Sequence, residues 1–303
     1  MPNIREIRER IDSIKQILKI TNAMYLMSSS KLKKARKAFD STSPYFDALQ
    51  TTIQDILVHT PHTRQVYFNR RENIPPEKRK KGYIIITSDK GLCGSYNHNI
   101  IRYAEDEIAK VPDIKNCYLF VMGQVGRMHF ASRNRSGDKP SVDGEFLYTM
   151  QNPTVYRAME VAQTVLSKFE ADELDEVYLI YTDMEKNGTY QPKTVQLLPF
   201  VRIHWVEGAD GTKKKLPKAS FLPSPEKVME SLIPNYTKGL IYGAMVEAFC
   251  SEQQARMTAM DSATTSAKDM IKDLSLLYNR ARQSAITQEI TEVVSGANGL
   301  QEN

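Results

Sequence analysis

The stretch AMVEAFCSEQQARMTAMDSATTSAKDMIKDLSLLYNRARQSAITQEITEVVS, residues 244–295, contains neither glycine nor proline over 52 positions. A second stretch without either residue, 3–43, covers 41 positions near the N-terminus. Because glycine and proline interrupt helices most strongly, their absence predicts two long helices. At 1.5 Å per residue these would measure about 80 and 60 Å, which exceeds the width of a small domain, so we expect them to protrude.

Both stretches carry apolar residues in alternating steps of three and four, the heptad pattern of a coiled coil. A period of 3.5 residues predicts a left-handed supercoil with a partner helix. Small residues in the second seam bury little area, so this part should be only modestly stable. The predicted seam positions are Ile4, Ile7, Ile11, Ile14, Leu18, Thr21, Tyr25, Ser28, Leu32, Ala35 and Phe39 in the first stretch and Met257, Met260, Thr264, Ala267, Ile271, Leu274, Tyr278 and Ala281 in the second.

The charges of the two ends favour pairing them with each other. Residues 1–40 hold ten Lys or Arg and four Asp or Glu, whereas residues 244–303 hold five and eight. If the chain leaves along one helix and returns along the other, the helices are antiparallel and their opposite charges reduce repulsion. Two separate helical bundles or a homodimer are the alternatives that the pattern leaves open.

The C-terminal helix is predicted to outrun its partner by about a dozen residues, which carry an apolar stripe of Ile286, Ile290, Val293 and Val294. Such a stripe would face water unless another protein covered it, and exposed apolar patches mark interaction surfaces. The segment 295–299, with two glycines, predicts the end of the helix.

Apolar strands alternate with helical patterns in the middle of the chain, which predicts an α/β fold with a mainly parallel, Rossmann-like sheet. A buried strand from residue 82 leads through a glycine turn into a helix, and a further helix spans 154–169. The other predicted segments are strands at 117–122 and 177–182, an antiparallel edge at 194–206, an exposed lysine-bearing loop at 207–220, and proline-rich junctions at 75–76 and 223–234. The predicted domains are an N-terminal coiled-coil helix (1–60), an α/β domain (75–222) and a C-terminal coiled-coil helix with its tip (226–303).

The glycine turn does not match a nucleotide-binding motif. Gly91 and Gly94 fit neither G-x-G-x-x-G nor G-x-x-x-x-G-K-[ST], and Lys90 precedes the glycines instead of following them. We interpret it as a structural turn, like those predicted at 123–126 and 187–188. The sequence therefore predicts no bound cofactor.

Other common functional classes are also disfavoured. His59 and His62 have no third ligand at metal spacing, so no metal site is predicted. The basic run 31–37 shares its helix with the seam, which favours a solvated or acid-facing surface over nucleic acid. Three cysteines without CxxC spacing are typical of a reducing compartment. No apolar run could cross a bilayer, and the N-terminus resembles neither a signal nor a transit peptide, so we expect a cytoplasmic chain.

Three blocks of sequence are specific enough to identify a family. They are ILKITNAMYLMSSSKL (17–32), SDKGLCG (88–94) and YNRARQSAITQEITEVVSGA (278–297). In composition and order they closely resemble the gamma subunit of F-type ATP synthases, and the resemblance covers essentially the full chain. It implies a coiled coil that rotates inside a hexamer of alpha and beta subunits, with the α/β domain at the membrane end.

The resemblance also implies partners and contact residues. Arg256, Gln283, Thr287 and Glu289 would contact the catch loop of beta, and Met24 and Lys31 would lie in the neck near the lever loop of beta. Ser88, Asp89, Lys90, Gly91 and Gly94 would lie near the epsilon subunit and the c-ring. The subunit itself would be non-catalytic, without a catalytic residue, cofactor or nucleic-acid partner. It would be peripheral to the cytoplasmic side of a bacterial cell membrane, coupling proton flow to ATP synthesis or hydrolysis.

Three positions depart from many relatives. Ser95 and Tyr96 stand where glycine and leucine are common, and Ser266 stands where asparagine is common. The geometry of the turn and one polar contact of the C-terminal helix are therefore open. From the residues alone, two other hypotheses are a stand-alone nucleotide-dependent α/β enzyme with coiled-coil arms and a coiled-coil nucleic-acid scaffold.

Overall fold

The computed structural model describes residues 4–60, 65–133, 140–184, 189–201 and 221–301. The predicted loop 207–220, the turn 187–188 and His62 lie outside the described residues. The chain divides into two compact units, one of Met1–Ser29 with Arg256–Asn303 and one of Ser30–Ala255. Both divisions fall inside the terminal helices, where the sequence contains no helix breaker.

Helices dominate the two ends of the chain, and strands alternate with helices between them. The helices are α1 (Ile4–His59), α2 (Tyr96–Ala109), α3 (Gln124–Arg133), α4 (Val155–Glu170) and α5 (Pro225–Gln301). The strands are β1 (Lys81–Ile86), β2 (Cys117–Met122), β3 (Ser141–Val142), β4 (Glu176–Met184) and β5 (Tyr190–Leu198). Short 3-10 turns occupy Val66–Phe68, Pro76–Lys78 and Ile114–Asn116.

The first unit is an antiparallel pair formed by the outer parts of α1 and α5. The predicted seam is buried at Ile7, Ile11, Ile14, Thr21 and Ser28 of α1 and at Met260, Thr264 and Ala267 of α5. The hydroxyl oxygens of Thr21 and Thr264 lie 2.7 Å apart in a buried hydrogen bond. The polar residue that interrupts one seam therefore meets a polar partner in the other. The predicted pairing of the two ends is confirmed.

The second unit contains a five-stranded sheet in the order β3-β2-β1-β4-β5. β1 pairs in parallel with β2 and β4, β2 pairs in parallel with β3, and β5 pairs antiparallel to β4. The short apolar runs of β1 and β2 are buried on both faces, as central parallel strands require. The predicted α/β fold with a mainly parallel sheet is confirmed.

Side chains alternate between the two faces of this sheet and fill two cores. Tyr83 and Ile85 of β1 face a core that includes buried residues of α2 and α3. Ile84 and Ile86 face a larger core that includes α4 and the parts of α1 and α5 in this unit. In the second unit the inner parts of α1 and α5 therefore pack against one face of the sheet and contribute to its hydrophobic core.

Close approach of α1 and α5 in the second unit depends on glycine. A Cβ atom at Gly239 would lie 2.3 Å from Cδ1 of Phe46, which is too close for any side chain. Phe46 also contacts Tyr242, with ring centroids 6.3 Å apart. Gly239 therefore lies inside a helix, despite its low helix propensity, because the packing admits no larger residue.

Arg71 fastens the connection between α1 and β1. Its buried guanidinium donates to the carboxylate of Asp175 at 2.5 Å and to the carbonyl of Phe169 at 2.6 Å. It also lies 4.7 Å from the centroid of the Phe169 ring. The second oxygen of Asp175 accepts from the amide of Lys80 at 2.8 Å, so both oxygens of the buried carboxylate are hydrogen-bonded.

The helix boundaries differ from those that the breakers predict. α1 continues through Pro44, and α5 begins before Pro234. The junction predicted at 223–234 is shorter than expected, because α5 already begins at Pro225. The helix end predicted at 295–299 is wrong, because α5 extends to Gln301. Beyond Pro44, burial of Leu49, Ile53 and Ile56 in the larger core compensates for the lost hydrogen bond.

Smaller differences concern the sheet. Gly123 has a positive φ of 89° and does form a turn, but Gly126 lies inside α3, which corrects the predicted turn 123–126. A Cβ at Gly126 would lie 2.6 Å from Thr87, so this position also requires glycine. The antiparallel edge begins four residues earlier than predicted, at Tyr190. Within the described residues, no helix combines the length and apolar character needed to cross a membrane.

Candidate functional site

The helical pair of the first unit exposes apolar side chains on its outside. On α1 these are Ile17, Ile20, Leu26 and Met27, and on α5 they are Met270, Leu276 and Leu277. We call these seven residues the outer stripe. Met24 is partly buried beside them, and Lys31, in the second unit, is exposed. An outer stripe of this kind is typical of a surface that another protein covers.

The end of α5 has no α1 residues opposite it. Ile4 lies seventeen residues before Thr21, and Ala281 lies seventeen residues after Thr264, so the antiparallel pair ends near Ala281. We call the following residues, 282–295, the tail. Its apolar residues are exposed, from 43% for Ile286 to 71% for Val293. The tail is slightly longer than the predicted dozen residues.

Three sequence-predicted contact residues lie on the tail. Gln283, Thr287 and Glu289 are all exposed. The hydroxyl of Thr287 donates to the carbonyl of Gln283 at 2.9 Å, a bond within the helix. These three side chains are therefore accessible beside the apolar stripe, as a partner-binding surface requires.

Arg256, the fourth residue expected to contact the catch loop, is mostly buried in the isolated chain. Its exposed fraction is only 8%, so the isolated chain already buries most of this side chain. Replacement of Arg256 should therefore affect folding as well as any contact. By contrast, Ser266 is exposed, so this departure from many relatives leaves the seam unchanged.

The turn 88–94 is held by a buried polar cluster. Ser88 is fully buried, and its hydroxyl lies 2.8 Å from the carbonyl of Lys90 and 2.7 Å from Nδ2 of Asn97. The amide of Ser88 also donates to Oδ1 of Asn97 at 3.1 Å. Cys93 is buried 3.2 Å from Nδ2 of Asn97. Asn97, which the sequence motif did not single out, is thus the residue that closes the turn on α2.

Asp89 joins this turn to two other segments. One carboxylate oxygen accepts from the amide of Gln124 at 3.1 Å, and the other accepts from the amide of Met150 at 2.7 Å. Ser88 and Asp89 therefore position the turn. The exposed residues are Lys90, Gly91, Leu92 and Gly94.

Leu92 is the least expected member of the turn. It is 65% exposed and adopts a positive φ of 63°, which is unfavourable for a side chain with a Cβ. Gly94 has φ 57°, which explains the glycine at that position. Neither exposure nor φ can be read from the motif, so Leu92 was missed as a candidate contact residue.

Tyr96 anchors the start of α2 to α5 within the second unit. Its hydroxyl donates to the carbonyl of Ala248 at 3.1 Å, and its ring packs with Cys93 and Ala255. Ser95 is exposed before it. The two departures from many relatives are therefore compatible with an ordered turn, because Gly94 still supplies the left-handed residue.

The described residues offer little catalytic chemistry. They contain no group of three or more His, Cys, Asp or Glu that could hold a metal. His59 pairs with Asp55, 2.7 Å away on the same helix. Burial raises the pKa of Cys117 to about 12 and that of Cys250 to about 11, so neither thiol is a ready nucleophile at neutral pH.

A family model described as ATP synthase matches residues 3–300. The ATP synthase gamma chain of Acetivibrio thermocellus is 44% identical over 304 residues, covering 99% of this chain and 100% of that relative. The chain belongs to the ATP synthase gamma-chain family. Members of the gamma family form the rotor of the central stalk, and this chain is accordingly a central-stalk subunit. The resemblance drawn from the three sequence blocks is confirmed.

One related gamma chain is described with an ion. The gamma chain of Acetobacterium woodii, described as sodium ion specific, is 38% identical over 311 residues, covering 98% of this chain and 99% of that relative. A chain in a structure of Euglena gracilis mitochondrial ATP synthase aligns with a TM-score of 0.63 at 17% identity, covering 98% and 94% of the two chains. At this identity the match supports the fold alone.

Proposed function

We propose that the chain is the non-catalytic rotor shaft of an F-type ATP synthase. It couples ion flow through the c-ring to ATP synthesis or hydrolysis on a hexamer of alpha and beta subunits. The observation that carries this proposal is the exposed apolar surface of the first unit, where no described residue covers the outer stripe or the tail. A sleeve of surrounding subunits would bury both.

The chemistry of this surface suits rotation. Apolar contacts are non-directional, so they exclude water without fixing one angular position. Hydrogen bonds and ion pairs depend on geometry and would favour particular angles. The tail combines its apolar residues with the polar contact residues Gln283, Thr287 and Glu289. A shaft with this composition turns within its sleeve and still meets each neighbour differently.

Asymmetry supplies the coupling. A single antiparallel pair has no threefold symmetry, so it presents a different face to each of three chemically identical beta subunits. Each face stabilises a different conformation of beta and hence a different nucleotide affinity. Rotation moves each beta subunit through these states in turn. The shaft needs no nucleotide site of its own.

We assign the partner surfaces by the motif positions. Arg256, Gln283, Thr287 and Glu289 contact the catch loop of beta. Met24 and Lys31 lie near its lever loop, where the positive charge of Lys31 suits an acidic partner. On the turn, Lys90, Gly91 and Gly94 face the epsilon subunit and the c-ring, while Ser88 and Asp89 hold them in position.

The proposal also includes the coupled ion and the location of the chain. We propose protons as the ion, because the sequence resemblance implies them. One relative is described as sodium ion specific, and the c-ring rather than the shaft would select the ion. The chain is peripheral to the cytoplasmic side of the cell membrane and reaches it through its partners. Ion-dependent ATP synthesis in vesicles, with sodium and proton gradients applied separately, distinguishes the two ions.

Assembly is the direct test. The chain is produced with its alpha and beta subunits and purified as a complex, and ATPase activity and rotation of a bead attached to the second unit are measured. We expect a stable complex that rotates in one direction while it hydrolyses ATP. A complex that forms and hydrolyses ATP without rotation would contradict the rotor role. Tight one-to-one nucleotide binding by the isolated chain would instead favour a stand-alone enzyme.

A substitution in the neck tests the surface. Met24→Lys places a charge beside the outer stripe and should lower ion-driven synthesis in the assembled enzyme by about tenfold, since burial of an unpaired charge opposes contact with beta. Met24→Leu keeps the volume and apolar character, and should behave as the unmodified chain does. Equal synthesis rates for both variants would show that beta does not contact this position.

A further inference from the structure

Two neighbouring residues of the turn 88–94 do not suit the backbone that carries them. Leu92 adopts a φ of 63°, in the left-handed region that disfavours side chains with a Cβ. Gly91 does not have a positive φ, so it makes no use of the conformational freedom of glycine in that region. Glycine would suit position 92 better than position 91, yet the order along the chain is the reverse.

The space around Gly91 does not require glycine either. A Cβ atom built on Gly91 would meet no heavy atom within 4 Å in the part of the chain that the structure describes. Gly123 shows the opposite case, because its Cβ would lie 2.3 Å from the carbonyl oxygen of Thr87 and its φ is 89°. Packing and backbone conformation within the chain therefore explain the glycine at position 123 and do not explain the one at position 91.

Leu92 is also an exception among the residues with a left-handed backbone. Two other non-glycine residues of the described ranges have a positive φ, namely Arg71 and Asp172. The buried guanidinium of Arg71 donates a hydrogen bond to the carboxylate of Asp175, which compensates for the unfavourable backbone. Aspartate belongs to the residue types that adopt this region most readily. Leucine does not, and the side chain of Leu92 is apolar.

Burial within the chain does not compensate for the backbone of Leu92. The residue is 65% exposed, whereas Cys93 beside it is 1% exposed. None of the hydrophobic clusters that the described residues form includes Leu92. Burial of apolar area is the contribution that could offset an unfavourable φ. For Leu92 it would have to come from another molecule.

The backbone beneath these two residues is fixed. Asp89 accepts hydrogen bonds from the amides of Gln124 and Met150, at 3.1 and 2.7 Å. Asn97 holds the other side of the turn on α2. Leu92 is therefore held in one position before any partner binds, which lowers the entropy cost of a contact through its side chain.

We propose that Leu92 is an anchor residue that inserts into an apolar pocket of a partner subunit. Gly91 has no side chain because the backbone of the same partner approaches the turn at that position. The contact supplies what the isolated chain lacks, namely burial for Leu92 and a close neighbour for Gly91. A few buried anchor residues carry most of the binding energy of a protein interface.

The partner that we assign to this anchor is the epsilon subunit. The assignment rests on the proposed function, which places the epsilon subunit and the c-ring at this turn. One rigid side chain pairs with one pocket, whereas a ring of identical subunits would offer the same pocket several times and would not fix one position. The anchor therefore favours epsilon over the ring. Its pocket should be lined by apolar side chains and bordered by exposed backbone.

Matched controls for both residues lie in the same unit. Leu147 is 68% exposed, much like Leu92, but its φ is not positive. Gly144 is a second glycine whose Cβ would meet no atom within 4 Å, and its φ is not positive either. An exposed leucine or an open glycine alone therefore marks no contact. The argument depends on their adjacency in reversed order at positions 91 and 92.

Thermal unfolding of the isolated full chain tests whether the chain itself needs these residues. Leu92→Asn introduces a residue that tolerates the left-handed region, so the unfolding midpoint should stay the same or rise by up to about 3 °C. Gly91→Ala should not lower the midpoint, because its Cβ enters open space. A clearly lower midpoint in either variant would overturn the proposal, since the residue would then serve the fold of the chain.

Calorimetric titration of the full chain with purified epsilon subunit tests the contact. We expect the Kd to weaken by at least about tenfold in Leu92→Asn and in Gly91→Ala. Leu92→Met keeps an apolar side chain and should stay within about threefold of the unmodified chain. Leu147→Asn and Gly144→Ala should leave the Kd unchanged. An unchanged Kd in either Leu92→Asn or Gly91→Ala would overturn the proposal, as would the absence of epsilon binding by the unmodified chain.

Failure of this inference is distinguishable from failure of the proposed function. Assembly of the unmodified chain with alpha and beta subunits into a rotating complex tests the rotor role without any change in the turn. If that complex rotates and Leu92→Asn still binds epsilon normally, the anchor is refuted and the rotor role stands. If no complex forms with alpha and beta, the rotor role fails even where epsilon binds through Leu92.

Discussion

The two units of the chain are stabilised in different ways. The second unit buries large apolar side chains almost completely, including Ile84, Phe120 and Phe169. The first unit places Thr21 and other small residues at its seam and leaves Ile20 and further apolar residues outside. Burial of apolar area contributes most of the stabilisation of a fold, so the second unit has a self-sufficient core. The first unit instead exposes apolar side chains, which a partner could bury.

Buried polar groups follow the same contrast. In the second unit Arg71 and Asp175 form a charged pair, which is stable only because several hydrogen bonds surround it. In the first unit the corresponding buried groups are two uncharged hydroxyls, those of Thr21 and Thr264, which share a hydrogen bond. Removing one residue of the charged pair should therefore lower the free energy of unfolding more than removing one of the two threonine hydroxyls. Four variants, each with its own control, test this comparison.

Phe120→Ala should have the largest effect. The side chain is 1% exposed and its ring centroid lies 5.4 Å from that of Phe146, so truncation leaves a cavity in the larger core. We expect the free energy of unfolding to fall by about 4 kcal/mol. Urea denaturation followed by circular dichroism measures it. Tyr156→Ala, at an exposed position of α4, should change it by less than about 0.5 kcal/mol. Similar losses for both would contradict a self-sufficient core.

Arg71→Met should come next, with a loss of about 3 kcal/mol, because it leaves the buried carboxylate of Asp175 without its cation. Arg71 has a positive φ of 47°, which methionine tolerates no worse than arginine does, and methionine retains the unbranched apolar part of the side chain. Adding Asp175→Asn should recover part of the loss, since the buried charge is then absent. If the two losses simply add in the double variant, the pair contributes nothing as a pair.

Thr21→Val should reduce the free energy of unfolding of the first unit by about 1–2 kcal/mol, because the hydroxyl of Thr264 is left buried without its partner. The double variant Thr21→Val with Thr264→Val should be as stable as the unmodified chain or more so, as both polar groups are then replaced by apolar ones. Hydrogen exchange of the α1 amides measures this locally. A double variant weaker than either single one would refute the role given to this bond.

The smallest effect on folding is expected for Ile290→Gln with Val293→Gln on the tail. Both side chains are exposed in the isolated chain, so its stability should change by less than about 0.5 kcal/mol. In the assembled enzyme the same variant should lower coupled ATP synthesis, while Ser284→Gln, a polar exposed control, should not. Marked destabilisation of the isolated chain would mean that the tail is packed and not available to partners.

Sequence patterns predicted the main features of the fold because those features depend on local periodicity. The heptad steps placed Ile7, Ile11 and Ile14 in the seam, and β2 was predicted with its observed bounds. Helix boundaries were less predictable because glycine and proline at Gly239 and Pro44 are tolerated for tertiary reasons. A close approach to Phe46 and a deeply buried helix end are not visible in local sequence.

The candidate surfaces were predictable from motifs only in part. Gln283, Thr287 and Glu289 are exposed, as a contact requires, but Arg256 is buried and Ser88 is fully enclosed. The motif shows which residues occur together and cannot show which of them hold the turn and which face outward. That division depends on Asn97 and on backbone amides brought together from distant segments.

Asp89 holds the backbone of the turn without contacting the side chains that the turn exposes. Because both of its carboxylate oxygens are used by amides of Gln124 and Met150, the path of the backbone is fixed independently of the exposed side chains. As far as the fold of the chain itself is concerned, the exposed side chains of Lys90, Leu92 and Ser95 can then vary while the buried Ser88 and Cys93 keep their contacts with Asn97.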